Sequence, residues 1–350
     1  MRLRRFPFAA AGFGLLLIIL ATGVGAQTPR ALWEDRVVPA PIVGPTLSGD
    51  TLWVVGTNRK IQSHDVRTGR PHWKRTLPAH PVLAPLATEK SLIVGIGAPR
   101  PMVILLDRVN GKEQARIGLE DAPVGLLPAS DYLLFATTGG SVGAFRSLDG
   151  SVVWKREVEG TIAGCAADTE AFWVLGRADS LWCFDPVDGR RRWSVAIEGT
   201  HCVAPVLFDS LLLRVTYQGE LVAHDRRRGQ VVVRRSLHAP QIAPPAFADG
   251  GVATVATGGE LDLFTLDSAG QMRSIDTGET VAAGVRAWGA WWVVPTVRGR
   301  VLAWKRSRDV IEWSLTFRAP ISSPPAANAN YLVLVDDKGR MVVYEREGGS

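Results

Sequence analysis

Cysteine is scarce in this chain of 350 residues: Cys165, Cys183 and Cys202 are the full set. An odd count leaves at least one thiol unpaired, so a disulfide framework is not what supports the fold. The simplest reading is small buried hydrophobes, with one bridge or a reactive thiol as alternatives, and Cys165 and Cys202 are expected in innermost strands of neighbouring repeats. Histidine is also sparse, at six residues, and no Cys or His pair has zinc-ligand spacing. His80, His201 and His238 each precede an apolar run but stand at different offsets from the nearby prolines, which argues against one shared ion. His64 and His224, each directly before an aspartate, read as strand residues. There is no serine elbow, no Walker loop and no isolated carboxylate pair. The glycine pairs at 139–140 and 258–259 precede no helical pattern and read as hairpin turns, not phosphate cradles.

Two further absences narrow the class. No amphipathic helical periodicity occurs after residue 30, and beyond the N-terminus no apolar run is long enough to span a bilayer. The N-terminus itself has a basic start, an apolar middle through Leu20, and small residues up to Ala26. That is the plan of a secretory signal over residues 1–26, cleaved after Ala26, with an uncleaved membrane anchor as the alternative. No cysteine lies near the cleavage point, so the exported chain is expected to carry no lipid anchor. Losing three arginines with the signal lowers the net charge from +6 to +3. That is too mild to indicate nucleic acid.

What the chain does contain is a repeat. "FDPVDGRRRW" at 184–193 reads as Asp, three residues, Gly, three residues, Trp; "HDVRTGRPHW" ends at Trp73 and "FRSLDGSVVW" at Trp154. More degenerate copies are "LDRVNGKEQA", "HDRRRGQVVV" and "WKRSRDVIEW", the last ending at Trp313. The turn position falls at Gly69, Gly111, Gly150, Gly189, Gly229, Gly270, Asp309 and Gly349, 39 to 42 residues apart. Gly219, Gly259, Gly299 and Gly339 keep the same period independently. Each period holds four short strand-like runs. The second runs, such as "TLWVVG", "AFWVLG" and "YLVLV", are apolar throughout, as for strands covered on both faces. Four strands in forty residues is one propeller blade.

The ends complete the count. The last period stops before its fourth strand, while Trp33 in "RALWEDRVV" stands in fourth-strand phase with no strands before it. Residues 27–350 are therefore expected to form a single all-β domain, an eight-bladed β-propeller of four-stranded antiparallel blades whose last blade is closed by the N-terminal strand. Closure removes exposed sheet edges. The repeated residues are structural in role. Asp65 and Asp185 accept from turn N–H groups, while Gly69, Gly150 and Gly189 allow positive φ. Trp33, Trp73, Trp154, Trp193 and Trp313 cover the neighbouring blade.

"HDVRTGRPHW" and "FDPVDGRRRW" resemble the tryptophan-docking repeats of PQQ-type eight-bladed propellers. Within them, length, export signal and shared blade resemble the BamB branch of the outer-membrane β-barrel assembly machine. The resemblance implies an exported, non-enzymatic scaffold for protein partners in the cell envelope. The connections "EGTHCVAP" and "LHAPQIAP" lack the apolar-and-arginine loop and the acidic loop of that branch, so no partner-binding residue is carried over. The other branch, the quinoprotein dehydrogenases, implies PQQ and calcium under long covering loops. Repeats of 39 to 42 residues leave little chain for such loops, and no adjacent cysteine pair is present. No cofactor is expected; a cofactor-dependent oxidoreductase and a small-ligand or carbohydrate-binding propeller are the competing classes.

What the repeat leaves over is charge. Arg190, Arg191 and Arg192 are expected in the turn of blade 4, Arg226, Arg227 and Arg228 in the same turn of blade 5, and Lys305, Arg306 and Arg308 in that of blade 7; adjacency of blades 4 and 5 brings the first two clusters onto one rim. The first six form the candidate partner-binding surface, suited to an acidic protein, an anionic envelope polymer or a membrane surface, presented by a monomer. Solvated turns are the alternative.

Overall fold

The computed structural model describes residues 28–36, 43–129, 131–147, 149–238, 240–266, 272–307 and 310–346. Residues 1–26, expected above to be a signal, and Gly270, Arg308, Asp309 and Gly349 lie outside them. Among the described residues there are 32 strands and no helix, arranged as eight four-stranded antiparallel sheets. Numbering blades from Thr46, and strands a to d outward from the first, blade 1 covers 46–76 and blade 7 covers 286–316. The a strands approach the a strands of neighbouring blades, which puts them at the centre of a ring.

Blade 8 is built from both ends of the chain. Its strand d is Arg30–Arg36, paired antiparallel with Arg340–Glu345, so that Trp33 faces Val343. The predicted closure is thus present. Proline leads the chain into several a strands: Pro45 precedes Thr46–Ser48 and Pro205 precedes Val206–Phe208. The b strands are the core. Ser91–Ile96, Phe172–Gly176 and Tyr331–Val335 are buried along their whole length, sandwiched between adjacent sheets. All twelve tryptophans lie in strands, and Trp53, Trp173, Trp288 and Trp304 are essentially fully buried.

The Asp-Gly-Trp signature joins consecutive blades. Asp65 Oδ1 accepts from the N–H groups of Arg67 and Thr68 at 3.0 and 2.8 Å, and Gly69 turns back with φ +72°. The ring of Trp33 then lies against Gly69, where a Cβ would sit 2.9 Å from it, while its Nε1–H donates to the Val66 carbonyl at 2.7 Å. Trp73 repeats this on Gly111 and Arg108, and Trp154 on Gly189 and Pro186. Each indole needs a bare Cα beneath it, so the glycine serves two ends, the left-handed turn and the close approach. Gly150 instead receives Ile117, because strand d of blade 2 carries no tryptophan.

One expected placement is corrected. Cys165 lies in strand a of blade 4, but Cys202 is an exposed loop residue ahead of blade 5, because Pro205 delays the strand to Val206. All three thiols are free.

Candidate functional site

The basic rim is built on the c-to-d turns of blades 4 and 5. Asp185 ends strand c of blade 4 and organises the turn, accepting from Val187 N–H through its side chain and from Gly189 N–H through its carbonyl. Arg190 lies in this turn, whereas Arg191 and Arg192 open strand d (Arg191–Ala196), a correction to their expected place. The strand starts early because its ladder with Ser180–Phe184 shifts register after Cys183 and pairs Phe184 with Arg191. In blade 5 Asp225 accepts from the N–H groups of Arg227 and Arg228. Trp193 packs on Gly229, but the Arg226 carbonyl is taken by the Nε1–H of Trp173 at 2.9 Å.

Charge on this rim is unevenly compensated. Arg192 pairs with Asp185 at 2.7 Å, and this guanidinium is the main cause holding the Asp185 carboxyl below its ordinary range. Arg226 pairs with Asp168 at 2.9 Å, and Arg227 reaches Glu170 at 3.8 Å. Arg190, Arg191 and Arg228 are exposed with no carboxylate within 4.0 Å among the described residues. The free positive charge is therefore carried by these three. Arg156 of blade 3 adds to them, its Nη2 donating to the Asp188 carbonyl at 3.3 Å. The sequence pattern did not single it out, although a signal exists: an arginine two places after the docking tryptophan, as in Arg75, which donates to Gly111 across the seam between blades 1 and 2.

The histidines do not converge. His80 is exposed, and His238 holds the buried carboxylate of Asp262 at 2.9 Å. His201 belongs to a buried cluster around Arg214 in strand b of blade 5. The guanidinium of Arg214 meets His224 Nε2 at 3.1 Å and His201 Nε2 at 2.7 Å, and it donates to the Glu198 carbonyl at 3.1 Å. His224 Nδ1 faces the Gly229 carbonyl at 2.8 Å and His201 Nδ1 faces that of Arg177 at 3.3 Å. Each ring thus has a proton on Nδ1 and an acceptor at Nε2, the neutral tautomer. Burial first, and then the Arg214 charge, push His201 down to about 4; burial brings Arg214 to about 10. A cation with two imidazole acceptors holds the blade together without offering a vacant ligand set. A calcium ion on the ring axis would need oxygen donors, yet the eight a strands carry no Asp or Glu, and Arg286 is their one charged side chain. These strands do not fit a quinone cofactor with its metal.

Comparison with known proteins agrees with the geometry. The structure of BamB from Moraxella catarrhalis superposes with a TM-score of 0.76 at 15% identity, covering 93% of this chain and 99% of that one. The computationally designed Ika8 protein gives 0.73 at 13% identity, over 89% and 99%. Sqt1 of Saccharomyces cerevisiae gives 0.73 at 11% identity, over 91% and 97%. At such identities these likenesses establish the fold. No curated protein sequence matches the chain. The family model for outer membrane protein assembly factor BamB matches residues 20–167, 99–206, 177–278 and 267–350, which together span the ring, and the chain belongs to that family.

Proposed function

We propose that the protein is an exported, non-enzymatic propeller, residues 27–350 after loss of the 1–26 signal, that serves as a scaffold in outer-membrane protein assembly. The observation that carries this reading is the family match running through every blade. The chemistry of the ring supports it, since the repeated Asp, Gly and Trp are occupied in holding blades together and the a strands present no acid–base or metal-ligating set. Its partner is another envelope protein, met as a monomer through the rim where Arg190, Arg191 and Arg228 carry exposed charge beside Arg192, Arg226 and Arg227, which are paired with carboxylates. An acidic surface is the complement of such a rim. Peripheral contact with anionic lipid would use the same charges.

The test is affinity capture after cross-linking in the native envelope, with retained proteins identified by mass spectrometry. The unmodified chain should retain an outer-membrane assembly protein. The double variant Arg191→Glu, Arg227→Glu should retain about tenfold less, because reversed rim charge acts on encounter and on holding alike. Unchanged retention would remove the rim from the account.

A further inference from the structure

Blades 5 and 6 keep a constant offset of forty residues, with strand b at Leu211–Val215 and Gly251–Val255 and strand c at Glu220–Asp225 and Glu260–Thr265. Thr254 therefore stands where Arg214 does, and Gln241 where His201 does. Both loop residues donate their backbone N–H to the preceding blade, Gln241 to the Tyr217 carbonyl and His201 to that of Arg177. In blade 5 the Arg214 guanidinium meets His201 at 2.7 Å. Blade 6 carries a threonine at this place, yet it keeps acceptors for a cation. Among the described residues, two buried side-chain oxygens that only accept lack a donor, Gln241 Oε1 and Glu260 Oε2, and the Thr254 hydroxyl is unpartnered as well. Gln241 and Thr254 are each 1% exposed, and buried polar atoms without partners are rare in folded proteins.

The backbone brings these groups to one place. Thr254 pairs with Asp262, and directly paired residues share a face of the sheet; Glu260, two residues along, shares it too. That face is turned to blade 5, since Val252 and Phe264 on it pack against Leu213, Val215 and Leu221. Gln241 bridges to Ala256, whose N–H donates to the Glu260 carbonyl at 2.9 Å, and the Pro240 carbonyl accepts from Thr257 N–H at 3.2 Å. The Glu260 carboxylate lies over Gly258, where a Cβ would stand 2.6 Å from Oε2. It forms no ion pair among the described residues, because Arg234, the partner of Glu220 in blade 5, is replaced by Ser274. Arg235 of blade 5 reaches this face at the Phe264 ring, four residues further along strand c. Asp262 is fully buried and accepts from His238 Nδ1 at 2.9 Å, Ser274 Oγ at 2.5 Å and His238 N–H at 3.0 Å. Three hydrogens against about four lone-pair sites leave it room for one more partner.

We propose that blade 6 binds a calcium ion on its face toward blade 5, held by Gln241 Oε1, Thr254 Oγ1, Glu260 Oε2 and the Asp262 carboxylate, at the place that the Arg214 guanidinium takes in blade 5. No trio of His, Cys, Asp or Glu gathers as a metal site among the described residues. The set here is mixed, two carboxylates with an amide and a hydroxyl, and donors that are all oxygen select a hard cation. Calcium takes six to eight oxygens at about 2.3–2.6 Å, and water completes the shell from the side where Glu260 is partly exposed. The ion ties Gln241 to strands b and c, as Arg214 ties His201 in blade 5. None of the donors comes from the a strands on the ring axis. The proposal stands independently of the role in outer-membrane assembly.

The mature chain, dialysed against EDTA, is titrated with calcium chloride by isothermal titration calorimetry. One equivalent should bind with a Kd of about 0.1–1 mM, the range of extracellular calcium modules. Calcium at 10 mM should then raise the thermal unfolding midpoint by about 2–4 °C. Magnesium, which gives up its water reluctantly, should bind at least about tenfold more weakly. Thr254→Arg, which gives blade 6 the cation that blade 5 has, should abolish binding. Should that variant fail to fold, Glu260→Gln, at the partly exposed edge of the site, should weaken binding about tenfold or more, since it removes one of two charges and keeps an oxygen. Absence of saturable binding up to 10 mM calcium overturns the proposal. Undiminished binding by folded Thr254→Arg or by Glu260→Gln also overturns it, marking the heat as general surface binding, and magnesium binding as tight as that of calcium overturns the assignment of the ion.

Discussion

Acidification should loosen blade 5 through His201, and the size of the effect can be worked out. The imidazole is fully buried against the Arg214 guanidinium, with His224 on the other side of that cation. Other charges acting on the group are Glu220, which favours the protonated ring, and Arg234 and Glu198, which act on Arg214. The folded chain therefore binds a proton on His201 only near pH 4, whereas the unfolded chain binds one near 6.5. Because the folded value is the lower one, protons favour the unfolded state. The contribution to stability is intact above pH 6.5, falls through the interval and levels off below 4. Between pH 7 and pH 5 the loss integrates to at most about 2 kcal/mol, less whatever the ring recovers by turning toward water. His201→Gln keeps an acceptor for Arg214 and cannot titrate. Urea unfolding at pH 7 and pH 5 should show the unmodified chain losing more than the variant, by up to about 2 kcal/mol. His64 and His224, also pushed down by burial, remain in both chains and cancel in the difference. Parallel pH dependence would refute the assignment of His201 as a buried neutral ring.

Three other outcomes follow from the seams and the core. Trp33→Ala, which empties the dock that closes the ring, should cost about 2–4 kcal/mol in urea unfolding, somewhat below a fully buried Trp→Ala because the side chain is only partly buried. Gly49→Ala and Gly189→Ala both place alanine at positive φ, but only the second drives a Cβ to 2.4 Å from an indole, that of Trp154. Gly49→Ala should cost about 1–2 kcal/mol from the backbone alone, and Gly189→Ala distinctly more in the same denaturation assay. A thiol reagent applied to the native chain should label Cys202 at once, while Cys165 and Cys183, with thiols pushed up to about 12 by burial, should react only on unfolding.

The fold was legible in the sequence because its signals are local and recur. Asp185, Gly189 and Trp193 are four residues apart, and a period near forty multiplies a weak pattern into a clear one. The site was less legible, because it depends on which blades meet. Arg192 and Arg226 looked like free charge until folding brought Asp185 and Asp168 to them. Thr254 escaped notice since nothing in its own run marks it, and only the matching ladders of blades 5 and 6 show that it stands where Arg214 does. Arg214 was passed over within the apolar run "SLLLRV", although a charge there, where both faces of the strand are buried, demands acceptors. Which acceptors those are depends on a loop ahead of the blade, and no strand pattern encodes it.

The central claim is that this ring holds proteins together and does not transform a substrate. The most direct measurement is capture with the purified mature chain from detergent-solubilised envelopes of its own host, with retained proteins identified by mass spectrometry. In parallel, the same chain is incubated with PQQ and calcium and examined for a bound chromophore. Retention of an outer-membrane assembly protein and no chromophore is the predicted result. A bound quinone with dye-linked oxidation of a substrate, and no assembly protein retained, would contradict it.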